Sequence, residues 1–301
     1  MSVTTTGPGT TPGTSPGASS GGSTRFKEWG ENLQQLMRSP TFLAGVLIVG
    51  FWIFCALFGT LIVPYDPLET DLLSVLEPPS ADHWFGADQL GRDVFSRVIV
   101  GSRDILTVAP LATLLGTILG TLLGLATGYF RGLVDDVLSR IIDALLSLPT
   151  VIVGLVALTA LGSSNTTVVF VIAFGFAPII ARTVRSSVLS ERELDYVAAA
   201  RLRRESSLYI MLAEILPNIL PPILVEFNVR LGYAIFAVAT LSFMGFGIQP
   251  PSPDWGLTIS DNYGLVGGGY WWTVLYDAIA IASLVVGVNL IADAIQGVLD
   301  G

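Results

Sequence analysis

The chain is poor in the residues that do chemistry. Lys27 is the only lysine among 301 residues, and it lies in the N-terminal tail. A phosphate-binding Walker loop needs its lysine after a glycine-rich turn, so ATP hydrolysis by that route is excluded. His83 is the only histidine and Cys55 the only cysteine. A histidine-rich zinc site, a Cys–His dyad and an intrachain disulfide are therefore all out of reach. No catalytic residue and no metal ligand are assigned, and enzymatic chemistry by this chain alone is not expected. Charge is scarce as well: only 13% of residues carry one, and the formal sum is −9. No nucleic-acid partner is expected of such a chain.

Apolar residues are abundant instead. They make up 51% of the sequence, and the mean hydropathy is +0.68, far from a soluble domain of this size. Crossing a bilayer takes about 20 mostly apolar residues. Six stretches qualify, roughly 41–63, 105–129, 141–162, 166–182, 218–247 and 271–293. The expected fold class is an all-α polytopic membrane protein with six transmembrane helices. Within it, 1–24 reads as a disordered tail of Gly, Pro, Ser and Thr. Residues 25–40 follow as an amphipathic interfacial helix, 41–63 as the first transmembrane helix, 64–102 as an external loop and 103–296 as a core of five further spans. In 25–38, Phe26, Trp29, Leu33, Leu36 and Met37 alternate with Arg25, Lys27 and Arg38, which suits the headgroup region; a plain extension of the first span is the competing reading.

Arginine and lysine placement, not net charge, orients a membrane protein. With the N-terminus inside, the inner segments carry Arg25, Lys27, Arg38, Arg131, Arg140, Arg182, Arg185, Arg192, Arg201, Arg203 and Arg204, and the outer ones only Arg92, Arg97 and Arg103. Eleven against three predicts that both termini are cytoplasmic. Gly116, Gly120, Gly124 and Gly128 form a four-residue ladder on the second span. That ladder implies a buried face, as ordinary close packing or as a tight seam near a gate. Pro178 interrupts the fourth span. Glu226 and Arg230, four apart on the fifth span, can meet on one face; they line a path or pair across subunits. Asp277 and Asn289 on the last span read as structural.

The segment 183–217 is polar and basic between two apolar runs. Ser190-Glu191-Arg192-Glu193 fits a capping box, predicting a helix from there through Asp195 to about Arg203. Ser206-Ser207 can start a second helix, which Pro217 ends or bends. An alanine-rich helix flanked by Arg192, Arg201, Arg203 and Arg204 makes a poor span but a good docking surface for another protein.

Three motifs carry a resemblance. His83-Trp84-Phe85-Gly86-Ala87-Asp88-Gln89-Leu90-Gly91-Arg92-Asp93 resembles the H-P-F-G-T-D-x-x-G-R-D loop of dipeptide and oligopeptide ABC-importer permeases, specifically their C-type subunit. The run Leu241-Ser242-Phe243-Met244-Gly245-Phe246-Gly247-Ile248-Gln249-Pro250-Pro251-Ser252-Pro253-Asp254-Trp255-Gly256 is similar to that family's L-S-F-L-G-L-G-x-Q-P-P-x-P-x-W-G. Tyr196, Val197, Ala199, Ala200, Leu216, Pro217 and Asn218 match its cytoplasmic coupling loop, roughly Y-V-E-A-A-x-x-x-G ending in H-x-L-P-N. Three positions depart: Ala198 stands for the glutamate, Arg204 for the glycine and Glu214 for the histidine. The glycine makes the bend between two helices, so Arg204 puts that turn in question.

The resemblance covers roughly 36–297 and implies a type I ABC-importer permease fold with a cytoplasmic coupling helix. It further implies a heterodimer with a B-type permease subunit, two ATPase subunits or one fused pair, and an external substrate-binding protein. ATP and Mg²⁺ would be bound by the ATPases and no cofactor by this chain. Coupling to the ATPase is expected of Asp195, Tyr196, Val197, Ala199, Ala200, Arg201 and Arg203. The implied cargo is dipeptides or short oligopeptides, with glutathione or a nickel chelate as alternatives. One histidine and no external cysteine leave no soft ligand cluster for nickel. A self-sufficient channel or secondary transporter is the reading from another class. Such proteins often show internal repeats or intramembrane ionisable relays; no clear repeat and few membrane charges occur here. The external loop could seat the binding protein, or fold as an internal plug.

Overall fold

The computed structural model describes residues 36–299. The tail 1–24 and most of the amphipathic segment 25–40 lie outside the described residues. Among those described, every regular element is helical, and the only strand-like feature is one isolated bridge between Ala87 and Asp93. Five helices are long and apolar enough to cross a membrane: α1 (Pro40–Ile62), α2 (Val94–Phe130), α5 (Asn165–Glu191), α7 (Leu220–Phe243) and α9 (Trp272–Leu299). Between them lie α3 (Leu133–Leu146), α4 (Thr150–Leu161), α6 (Asp195–Leu202) and α8 (Trp255–Asn262).

The span expected over 141–162 falls on two helices, α3 and α4, bent by 89° to each other, a broken span that brings the number to six if the pair crosses as one. Pro149 causes the break. Its ring removes a backbone donor and pushes Leu148 out of helical geometry, and Pro149 itself sits extended as the N-cap of α4 (φ −60°, ψ 114°).

The second span starts earlier than hydropathy indicates. Asp93 caps α2 by accepting from the Ser96 N–H at 2.8 Å, so helix begins at Val94 and runs 37 residues. At 1.5 Å per residue that is about 55 Å, well beyond a hydrocarbon core of about 30 Å. Arg97, Arg103 and Asp104 fall on this early part, which is why it reads as loop in a hydropathy window. α5 likewise extends through Arg182 and Arg185 to Glu191.

The glycine ladder forms the seam between α2 and α5. A Cβ added at Gly120, Gly124 or Gly128 would stand 2.7, 2.6 and 2.7 Å from the Cβ atoms of Ile180, Val184 and Val188. Helix α5 thus supplies branched side chains that fill the space the glycines leave, a backbone approach only small residues permit. On the other side α1 meets α9. The Trp52 indole donates to Ser283 Oγ at 2.9 Å, and a Cβ on Gly45 would stand 2.8 Å from the Gly287 carbonyl oxygen.

Two of the recognised motifs fold against each other at one end of this bundle. His83 Nδ1 lies 2.9 Å from Asp93, and Asp88 accepts from Arg92 Nε at 2.7 Å. Arg97 reaches the Pro67 carbonyl at 3.1 Å and Thr258 at 3.0 Å. From the second motif, Trp255 donates to the Val98 carbonyl at 2.8 Å, while Asp254 caps α8 and Ser252 hydrogen-bonds Asp104. His83, Asp88, Asp93, Asp254 and Asp277 are all buried. The His83–Asp93 part of the loop therefore packs into the bundle, while Trp84 stands out at 58% exposure. Asn289 packs on Gly232, its Oδ1 2.8 Å from where a Cβ would be, which joins α9 to α7.

Candidate coupling surface and translocation groove

Helix α5 ends on the turn 192–194, and α6 starts at Asp195. The Ser190 capping box is not used: residue 190 lies inside α5, and the α6 N-cap, Leu194, makes no side-chain cap bond. Tertiary contact replaces the local signal. Arg192 turns back to donate to the Gly128 and Tyr129 carbonyls at 3.1 and 2.6 Å, satisfying orphan acceptors at the C-terminus of α2, where a cation is favoured. Arg201 lies over the Tyr129 ring at 5.6 Å, a second tie between α6 and the end of α2.

Within α6 the predicted coupling residues divide by face. Val197 and Ala200 are fully buried and pack inward with the following π-helical turn Ile210–Ile215. Their smallness and shape serve this chain's own packing rather than a partner's surface. Tyr196 is half-buried; its hydroxyl donates to Glu191 at 2.7 Å and accepts from Asn218 Nδ2 at 3.1 Å. Burial and the Glu191 carboxylate raise the phenol to about 12, so it stays a protonated donor at neutral pH. Asn218 also donates to the Glu214 carbonyl at 2.8 Å, clamping the two helical arms together. Residues 195, 198, 199 and 202 recur at i, i+3, i+4 and i+7, the spacing of one helix face. All four, Asp195, Ala198, Ala199 and Leu202, are exposed, with Leu202 at 85%.

The family-divergent positions now have a physical account. Arg204 adopts φ +60°, the left-handed geometry that favours glycine, so the bend is made at the position where the family pattern has its glycine. The Arg204 and Glu205 amides donate to the Arg201 and Ala200 carbonyls at 3.0 and 3.2 Å, a Schellman closure of α6. Glu214 takes up a local role by accepting from Arg203 at 2.9 Å. Ala198 lies on the exposed face and makes that face less polar. Ser206 starts the second arm as expected, accepting from the Tyr209 N–H at 3.2 Å. Sequence reasoning missed Glu191 and Arg192 as structural ties, and gave Asn218 no role beyond its place in a motif.

The predicted pair on α7 is formed. Arg230 Nε donates to Glu226 at 2.9 Å, Thr183 of α5 donates to the same carboxylate at 2.8 Å, and the guanidinium lies 5.4 Å from the Tyr233 ring. Arg230 lines a cavity of about 280 Å³ between α4, α5 and α7. A second cavity, of about 580 Å³ between α3, α4 and α5, shares Thr150, Gly154 and Val171 with it as lining. The walls are mostly aliphatic and aromatic, including Phe170, Phe174 and Phe236. Among the described residues, no group of three or more His, Cys, Asp or Glu is arranged to hold a metal ion.

Residues 120–301 match the family described as binding-protein-dependent transport system inner membrane component. Residues 27–79 match the N-terminal TM domain of oligopeptide transport permease C. A dipeptide transport system permease protein of Alkalihalophilus pseudofirmus is 35% identical over 277 residues, covering 92% of this chain and 91% of the relative. A probable D,D-dipeptide transport system permease protein of Escherichia coli K12 is 35% identical over 280 residues, 92% of each chain. A glutathione transport system permease protein of another Escherichia coli strain is 35% identical over 274 residues, 90% of each. The inward-packed His83–Asp93 motif, the Schellman-closed end of α6 and the glycine seam thus belong to a membrane permease, and the chain is a member of the binding-protein-dependent transport system inner membrane component family.

Proposed function

We propose that the chain is the C-type permease subunit of an ATP-driven importer for dipeptides or short oligopeptides. It pairs with a B-type permease subunit, receives cargo from an external substrate-binding protein, and docks two ATPase subunits or one fused pair. It is itself non-catalytic; the ATPases hold ATP and Mg²⁺. The observation that carries this reading is the 192–219 loop. It is braced by Arg192, Tyr196 and Asn218 yet leaves the Asp195, Ala198, Ala199, Leu202 stripe open. A braced helix with one free face suits the transfer of a partner's movement into α5 and α7, to which its ends connect. The permease responds only to the difference in these contacts between ATPase states. The dipeptide cargo is supported by relatives of that printed name at 35% identity over nine-tenths of both chains.

The orientation proposed has both termini and α6 cytoplasmic and the 63–93 segment outside. Single cysteines at Leu73 and Leu202, 97% and 85% exposed, in a Cys55→Ala background should react from opposite sides of the membrane. Reaction of both from one side would overturn the topology.

Uptake of a labelled dipeptide into proteoliposomes holding the assembled complex tests the function. It should require ATP, both permeases and the binding protein. Ala199→Glu changes the open face and should leave assembly of the two permeases intact while abolishing ATPase capture or ATP-driven uptake. Ala200→Glu places a carboxylate in a fully buried site and should prevent the loop from folding. Dipeptide uptake without the ATPases would refute the reading. The 35% identity to a glutathione permease favours a second cargo of related chemistry, which competition of dipeptide uptake by glutathione decides.

A further inference from the structure

Among the described residues lining these two neighbouring cavities, Arg230 is the only charged one. It lies near the middle of α7, where a charge is expensive unless it faces a partner or a water-filled path. Glu226 partners only part of it. The Glu226 carboxylate takes the Arg230 Nε–H and the Thr183 hydroxyl, and the two terminal guanidinium nitrogens form no hydrogen bond among the described residues. The guanidinium carbon lies over the Tyr233 ring, 5.4 Å from its centroid. What remains is a pre-oriented pair of N–H donors at an apolar wall. That geometry fits a carboxylate bidentately.

We propose that Arg230 is a handle for the C-terminal carboxylate of the peptide in transit, an inference that rests on the peptide-import reading above. Every unmodified linear peptide carries that group whatever its side chains, and the aliphatic and aromatic walls can accept varied side chains without fixing any one. Glu226 offsets the standing charge and keeps the contact weak enough for release. Thr183 positions Glu226 from α5, so the handle spans the α5–α7 junction.

The test uses the assembled complex in proteoliposomes. The reference carries Cys55→Ala and Glu226→Gln, and the test complex adds Arg230→Cys. No carboxylate at residue 226 is then left for a restored cation to pair with. Uptake of a labelled dipeptide should fall about ten-fold relative to the reference, the scale of one charge-assisted contact, while binding-protein-stimulated ATP hydrolysis continues. Modification with 2-aminoethyl methanethiosulfonate, which returns a cation to residue 230, should restore most of the uptake; methyl methanethiosulfonate should not. Uptake within two-fold of the reference before modification, or equal recovery with the neutral reagent, overturns the proposal. If the reference fails to assemble, Arg230→Lys and Arg230→Met with Glu226 in place are compared instead. Lysine should keep uptake within about three-fold and methionine lose about ten-fold, and equal uptake by the two overturns the proposal. A native complex that hydrolyses ATP but takes up no dipeptide refutes the import reading itself, a result separable from any of these.

Discussion

Arg204 sits where a glycine would be unstrained, and replacing it isolates the energetics of the coupling loop's bend. Its φ of +60° forces Cβ toward the following carbonyl, which costs roughly 1–2 kcal/mol in an L-residue. Arg204→Gly removes that cost but gives the unfolded chain more freedom, worth about 0.5–1 kcal/mol in the other direction. The net expectation is a gain of about 0.5–1 kcal/mol, or about a 2- to 5-fold drop in the population of opened loop. The Arg204 side chain makes no ion pair or hydrogen bond among the described residues, so nothing else is lost with it. The readout is hydrogen exchange at the Arg204 and Glu205 amides, which close the helix on the Arg201 and Ala200 carbonyls. Arg204→Ala is the control: it removes the charge and keeps the Cβ, and its exchange should match the parent. If glycine slows exchange no more than alanine does, the strain argument is wrong.

Asn218→Ala removes the clamp on Tyr196 and the Glu214 carbonyl. Exchange in α6 should quicken by about ten-fold or more, a loss of about 1–3 kcal/mol, and unchanged exchange would deny Asn218 its bracing role. Gly124→Leu drives a side chain into Val184, where even a Cβ would be at 2.6 Å from the valine Cβ; a loss of about 1–3 kcal/mol or more follows, read as a lower melting midpoint of the purified protein. Asp254 is held by burial at about 6, above its usual 3.8. The folded form therefore binds its proton more tightly, and the stability this contributes is complete below 3.8 and lost as pH rises through 6. Asp254→Asn keeps a capping oxygen for the Leu257 amide and should flatten the fall in melting midpoint between about pH 4 and 6, worth about 1–3 kcal/mol; an undiminished fall would clear Asp254 of that role.

Composition and hydropathy carried the class and five of the helices to within a few residues at most ends, because lipid demands long apolar runs with internally satisfied backbones. The exceptions have local causes. Pro149 divides a continuous apolar stretch into two helices at 89°, and Asp93 starts α2 among charged residues that a hydropathy average treats as loop. The glycine ladder announced a close contact, while its partner became known only when Ile180, Val184 and Val188 were found opposite it. The coupling segment was legible as a helix with a turn after it, but not by face. Val197 and Ala200 look like any docking residues in the sequence, and their burial depends on the π-helical turn Ile210–Ile215 returning beneath them.

By itself the sequence determined that this is a helical membrane permease, where the motifs it shares with its family lie, and that Glu226 and Arg230 share a helix face. Those are consequences of residue type and short spacing, which act within a turn or two of chain. Tertiary structure decided which α6 residues stay exposed, that Arg204 bends backwards in glycine's place, that the His83–Asp93 motif packs into the bundle, and that Arg230 borders a cavity. Apart from the Arg204 bend, which closes on the nearby Arg201 and Ala200 carbonyls, each depends on segments well separated in the chain, whose meeting is set by the packing of whole helices.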